Sequence, residues 1–118
     1  MLPKSARLSK EREIKRTIRA KQYEARRPLL YLVAMDNSHA ESRLTVVIPK
    51  KLGKAVVRNR MRRVIQAVFG NIRHKIAKNI DIVVFPRHAA VGAESRSVES
   101  ELGKCLDTIE QLNNEAIS

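Results

Sequence analysis

Two stretches of the chain repeat apolar residues every three or four positions. Val57, Met61, Val64, Ile65, Val68 and Ile72 predict the longest helix, over residues 55–78, with Asn79 as its stop. Val98, Leu102, Cys105, Ile109 and Leu112 recur at i, i+4, i+7, i+11 and i+14, which predicts an amphipathic helix over 97–113 lying on a sheet. Other segments are shorter and lack this period. "LLYLVAMD" (29–36) is a nearly continuous apolar run of the kind a buried strand requires. "RLTVVIP" (43–49) alternates Leu44, Val46 and Ile48 with Thr45 and Val47, so it reads as a second strand. The turn-forming "DNSHAES" between them predicts an antiparallel hairpin. The β-branched run "IDIVVF" (80–85), ended by Pro86, is an interior strand.

At the N-terminus, an arm over residues 1–8 leads to Ser9 as the expected N-cap of a helix over 9–22, with Glu11 and Glu13 in its first turn, where the helix dipole favours acids. Ile14 and Ile18 give that helix a narrow apolar stripe between wide basic flanks: Arg12, Lys15, Arg16, Arg19 and Lys21. The order is helix, strands, helix, strand, helix. That order predicts an α+β fold with helices packed on a small sheet, and 118 residues suit one domain.

Charge adds what the apolar pattern does not show. The net charge is +12, and it is concentrated: +7 over residues 1–28, +7 over 50–63 and −4 over 89–118. Such a balance makes a polyanion the expected partner. The longest apolar run has seven residues, against roughly 20 for a membrane-spanning helix. Lys and Arg recur through residues 4–27 without an apolar signal-peptide core, so a cytoplasmic protein with no membrane partner is expected. The lone Cys105 has no disulfide partner within the chain.

The segment "KKLGKAVVRNRMRR" (50–63) holds seven cations and no acid. On a helical projection Lys54, Arg58 and Arg62 stack four apart, Asn59 and Arg63 form the next row, and Val57, Met61 and Val64 face inward. Like charges at this spacing repel, so a solvated face explains them less well than a ligand that neutralises them. The guanidinium fork fits phosphate bidentately, Asn both donates and accepts, and Lys50, Lys51 and Gly53 precede a helix N-terminus. The chemistry is that of a phosphate-backbone site, on RNA or DNA. Protein nucleases converge carboxylates or histidines on metals or phosphates, yet Asp81 is the only acid between residues 42 and 93. His39, His74 and His88 show no shared spacing. No catalytic or metal-ligating residue is therefore assigned.

These residues carry a resemblance to the bacterial ribonuclease P protein component. "KKLGKAVVRNRMRR" resembles that family's Arg-Asn-Arg signature with its preceding Lys-x-Gly-x-Ala-Val element, and "LPKSARLSK" resembles its start. The resemblance implies an α-β-β-β-α-β-α fold on a four-stranded sheet, like the second domain of ribosomal protein S5. It implies a protein subunit that assists a catalytic RNA in removing the 5′ leader of precursor tRNA. The partners implied are ribonuclease P RNA and precursor tRNA, with one protein per RNA; Mg²⁺ is required by the ribonucleoprotein and no cofactor is bound by the protein. Lys50, Lys51, Lys54, Arg58, Asn59, Arg60, Arg62 and Arg63 would face RNA. A cleft between the first helix and the sheet, holding the leader, would involve Arg12, Ile14, Ile18 and Tyr31, with Tyr23 as the alternative aromatic. The rival is a non-catalytic RNA-binding protein of the ribosome or its assembly.

Overall fold

A computed structural model describes residues 2–117, with side chains as far as Leu112. Its elements are α1 (Glu11–Arg19), β1 (Tyr23–Arg26), β2 (Leu30–Asp36), β3 (Arg43–Val46), α2 (Ala55–Ile72), β4 (Ile80–Pro86) and α3 (Ser95–Ile117). The order α-β-β-β-α-β-α and the four-stranded sheet agree with the expected α+β class.

The sheet runs β1-β2-β4-β3. The predicted hairpin between residues 29–36 and 43–49 does not form. Instead β4 lies between those strands, antiparallel to β2 and parallel to β3. Every residue of β4 except Phe85 is buried, so the strand needs a neighbour on each edge and cover on each face. The 37–42 segment wraps the entry to β4: Asn37 N–H donates to the Asn79 carbonyl (3.0 Å), and Ser42 Oγ bridges the Lys78 carbonyl (3.1 Å) and Ile80 N–H (3.0 Å). The hairpin that does form joins β1 to β2.

Alternation along the strands sends one set of side chains to each face. On one face Leu32, Leu44, Ile82 and Val84 meet Ile65, Val68 and Phe69 of α2 and Leu102, Cys105 and Ile109 of α3. On the other, Val33 and Val83 meet Leu8, Ile14 and Ile18. Thus α1 covers one face, and α2 and α3 the other.

Several boundaries differ from expectation. Helix α1 begins at Glu11 after Lys10, with no side-chain cap, so Ser9 is not the N-cap. It stops at Arg19 because Gln22 is already drawn into the sheet, its N–H donating to the Ala34 carbonyl (2.9 Å) and its Oε1 accepting from Asp36 N–H (2.6 Å). Helix α2 ends at Ile72 and gives way to a 3-10 turn at Arg73–Lys75. Arg73 there reaches Glu41 (2.8 Å). The N-terminal arm is part of the fold: Leu2, Ala6 and Leu8 are buried, and Leu8 N–H donates to the Leu44 carbonyl (3.0 Å) on the outer edge of β3.

Glu101 shows that the acidic C-terminal quarter is not wholly surface. It is buried on α3, accepting from Arg27 Nε (2.8 Å) and Leu29 N–H (3.2 Å), which pins the β1–β2 turn. Burial opposes its charge, but these two donors outweigh burial and hold the carboxyl below its ordinary pKa. Cys105 is also buried, and burial pushes its thiol up to about 11. Iodoacetamide at pH 8 is therefore expected to alkylate it far more slowly in the native protein than in urea, as read by mass. Equal rates would contradict this packing.

Candidate nucleic-acid interface

The basic segment is shaped by a turn that only glycine suits. Pro49 opens a 3-10 turn at Lys50–Leu52, and Leu52 is buried with Met61 and Ala90, anchoring the turn below while Lys50 and Lys51 stay exposed. Gly53 then takes φ +149°, and a Cβ there would meet Val57 Cγ1 at 3.0 Å. Gly53→Ala is expected to cost about 1–3 kcal/mol through strain and to shift Lys50 and Lys51, weakening polyanion binding together with thermal stability. Unchanged melting and binding would show that the turn tolerates a side chain.

Helix α2 starts at Ala55 with Lys54 as its N-cap residue, no side-chain cap and no acid in the first turn. Its positive N-terminal end is therefore uncompensated by protein and surrounded by further cations. Met61 and Ile65 are buried, Val57 and Val64 half-buried, and Asn59, Arg60 and Arg63 exposed. Two arginines of the predicted set are less open. Arg58 is half-buried, and its Nε donates to the Gly53 carbonyl (3.2 Å), bracing the turn against the helix. Arg62 is half-buried, with Nη1 donating to Asn59 Oδ1 (3.4 Å). Val56, which the sequence reading did not single out, is 78% exposed among these cations.

Elsewhere cations commonly have acids: Arg27 with Glu101, Arg43 with Glu13 and Asp81, Arg73 with Glu41, Lys78 with Asp36. Among the described residues, none of the seven cations in 50–63 is in an ion pair. The segment is an uncompensated positive surface on a rigid support.

The same end of the sheet carries an aromatic pair. Tyr31, early in β2, is in register with Phe85, near the end of β4, and their rings stack with centroids 5.7 Å apart at 28°. The Arg26 guanidinium lies 4.5 Å from the Tyr31 centroid. Tyr31 Oη donates to Glu24 (2.6 Å), which raises the phenol's pKa and lowers the carboxyl's. Ile14 and Ile18 pack beside this pair, together with Val47. Val47 leads through Pro49 into the basic turn, so aromatic pair and cations share one end of the sheet. Tyr23 is buried on the opposite face, its hydroxyl donating to Asp36 (3.1 Å). Arg12 is exposed and does not line the sheet-facing side of α1. Phe85 escaped the sequence reading; the alternation of Asp81, Val83 and Phe85 in "IDIVVF" was the available signal.

The three histidines do not converge. His39 lies 3.9 Å from Glu13, while His74 and His88 sit exposed in separate short turns. A cavity of about 430 Å³ opens between the end of α2 and α3, lined by Ile72, Ile76, Leu106 and Ile109, at the opposite end from the basic turn.

The family profile described as ribonuclease P matches residues 2–110 of this chain. The chain belongs to the ribonuclease P protein family. It is 30% identical to the ribonuclease P protein component of Enterococcus faecalis over 95% of each chain. It is 31% identical to that of Desulforapulum autotrophicum over 91% of each. The ribonuclease P protein of Thermotoga maritima superposes with a TM-score of 0.77 at 26% identity, covering 85% of this chain and 94% of that one. A Staphylococcus aureus ribonuclease P protein shares the fold with a TM-score of 0.80, at 24% identity, over 91% and 90% of the two chains. Membership in this family supports a ribonuclease P protein component over the ribosomal alternative.

Proposed function

We propose that the chain acts within ribonuclease P by binding two RNAs at one end of its sheet. The catalytic RNA subunit and the 5′ leader of precursor tRNA are its partners, and the RNA carries out cleavage. The observation that carries this reading is the row of seven cations at 50–63 with no acid partner among the described residues. Lys50, Lys51, Lys54, Arg60 and Arg63 contact phosphates, Asn59 serves sugar or base edges, and Arg58 chiefly holds the turn that presents the lysines. Magnesium acts on the RNA, and these cations take over part of its screening.

The Tyr31–Phe85 pair supplies the stacking surface that α1 lacks, since Ile14 and Ile18 only wall its side. A base stacked on such a surface contributes about 1–3 kcal/mol. Tyr31→Ala is therefore expected to weaken binding of leader-bearing precursor to the RNA–protein complex about tenfold or more. Mature tRNA, which has no leader, should bind the wild-type and variant complexes equally. An equal loss for both RNAs, or for neither, would exclude the aromatic pair as a leader site.

A further inference from the structure

Helix α1 carries a second cationic surface that the basic segment does not account for. At about 3.6 residues per turn, Arg12, Arg16 and Arg19 fall on one stripe directly opposite Ile14, Thr17 and Ile18. The latter three face the sheet: Thr17 is buried, and the isoleucines pack on Val33 and Val83. All three arginines are exposed, and none has an acid partner or a side-chain hydrogen bond among the described residues. The acids of this helix are engaged on its flanks: Glu11 pairs with Lys15 (2.9 Å), and Glu13 turns to Arg43 (3.0 Å). What remains is a ridge of three guanidiniums spanning about 10 Å along a rigid helix.

The ridge looks away from the basic segment. Helix α1 packs on one face of the sheet and α2 on the other, so a single backbone passing over Lys50–Arg63 does not also lie along Arg12–Arg19. The helix sets the spacing of these three arginine backbones, so the cations form a regular array that suits the regularly placed phosphates of a folded duplex, whereas a flexible strand has no set phosphate positions.

We infer that the Arg12–Arg16–Arg19 ridge is a separate docking surface for a double-helical segment of the RNA subunit, so that the protein bridges two RNA elements. This rests on the ribonuclease P reading above. The test is the salt dependence of full-length protein binding to a bacterial ribonuclease P RNA, comparing wild type, R12Q/R16Q/R19Q and R12K/R16K/R19K. With roughly 0.9 counterion released per duplex phosphate contact, the glutamine variant is expected to lower the log–log slope by about 2.7. The lysine variant should keep most of the slope, and both should melt like the wild type. Leader binding to the preformed complex should not change. An unchanged slope with RNA binding intact overturns the ridge alone, as does a loss confined to precursor tRNA. Wild-type protein that ignores the RNA overturns the parent reading and the ridge with it.

Discussion

Arg43→Met is expected to destabilise the fold by about 3–5 kcal/mol, lowering the melting temperature by roughly 10–20 °C. Arg43, at the start of β3, donates Nε and Nη2 to the two carboxylate oxygens of Asp81 (2.8 and 2.7 Å) and Nη2 to Glu13 (3.0 Å). Asp81 is buried within β4, where its remaining donor is Asn37 (2.8 Å). Removing the guanidinium leaves a buried charge nearly uncompensated, and it also releases the tether that holds α1 on the sheet. Replacing both partners, as Arg43→Met with Asp81→Leu, should recover most of the loss, because the penalty lies in the orphaned carboxylate. Urea unfolding decides it. A loss below about 1 kcal/mol for the single variant would mean that Asp81 finds other solvation.

The same cluster sets an acid dependence. The Arg43 hydrogen bond holds the Glu13 carboxyl below its ordinary value of 4.5. A depressed folded-state pKa contributes stability that is present above 4.5 and is lost as pH falls through the folded value. Glu13→Gln should therefore show a shallower stability decline below pH 4.5 than the wild type.

The second large effect concerns binding. A variant with Lys50, Lys51, Lys54, Arg60 and Arg63 all changed to Gln is expected to lose on the order of a thousandfold in affinity for the RNA subunit near physiological salt. Its salt slope should fall by about 4.5 if the contacts are to duplex phosphates. All five side chains are exposed and without acid partners, so stability should hold or rise slightly as like-charge repulsion at i, i+3 and i+4 spacings is relieved. An unchanged slope would place these side chains in solvent. Arg58→Lys separates the two roles within the segment: it keeps the charge but loses the planar Nε donor to the Gly53 carbonyl, so a loss of RNA affinity in this variant reports the turn.

What could be read before the structure follows from where each signal resides. The basic segment was legible because charge without compensation is a property of sequence alone, and the inward row Val57–Met61–Val64 fixed which side it faced. The β2–β3 pairing misled because a turn sequence specifies a reversal but not which strand then becomes the neighbour; the fully apolar β4 took that place. Strand β1 was hidden by its own burial pattern. Only Tyr23 and Ala25 are buried, and the exposed Glu24 and Arg26 that alternate with them resemble a polar linker. The Tyr31–Phe85 stack joins residues 54 apart through strand register, which no local pattern encodes. Arg58's bond to a loop carbonyl and Glu101's bond to Arg27 are likewise tertiary, and both turn residues that read as surface charge into structural supports.

Magnesium relief by protein cations underlies the proposed function: the cations take over part of the ion's work in holding RNA together. It is tested by precursor cleavage with a bacterial ribonuclease P RNA across a magnesium titration, with wild-type protein, the five-glutamine variant or no protein. Wild-type protein is expected to shift the titration to lower magnesium, the variant to track the RNA alone, and protein without RNA to leave the precursor intact. A wild-type titration that coincides with RNA alone, or cleavage by the protein by itself, would contradict it.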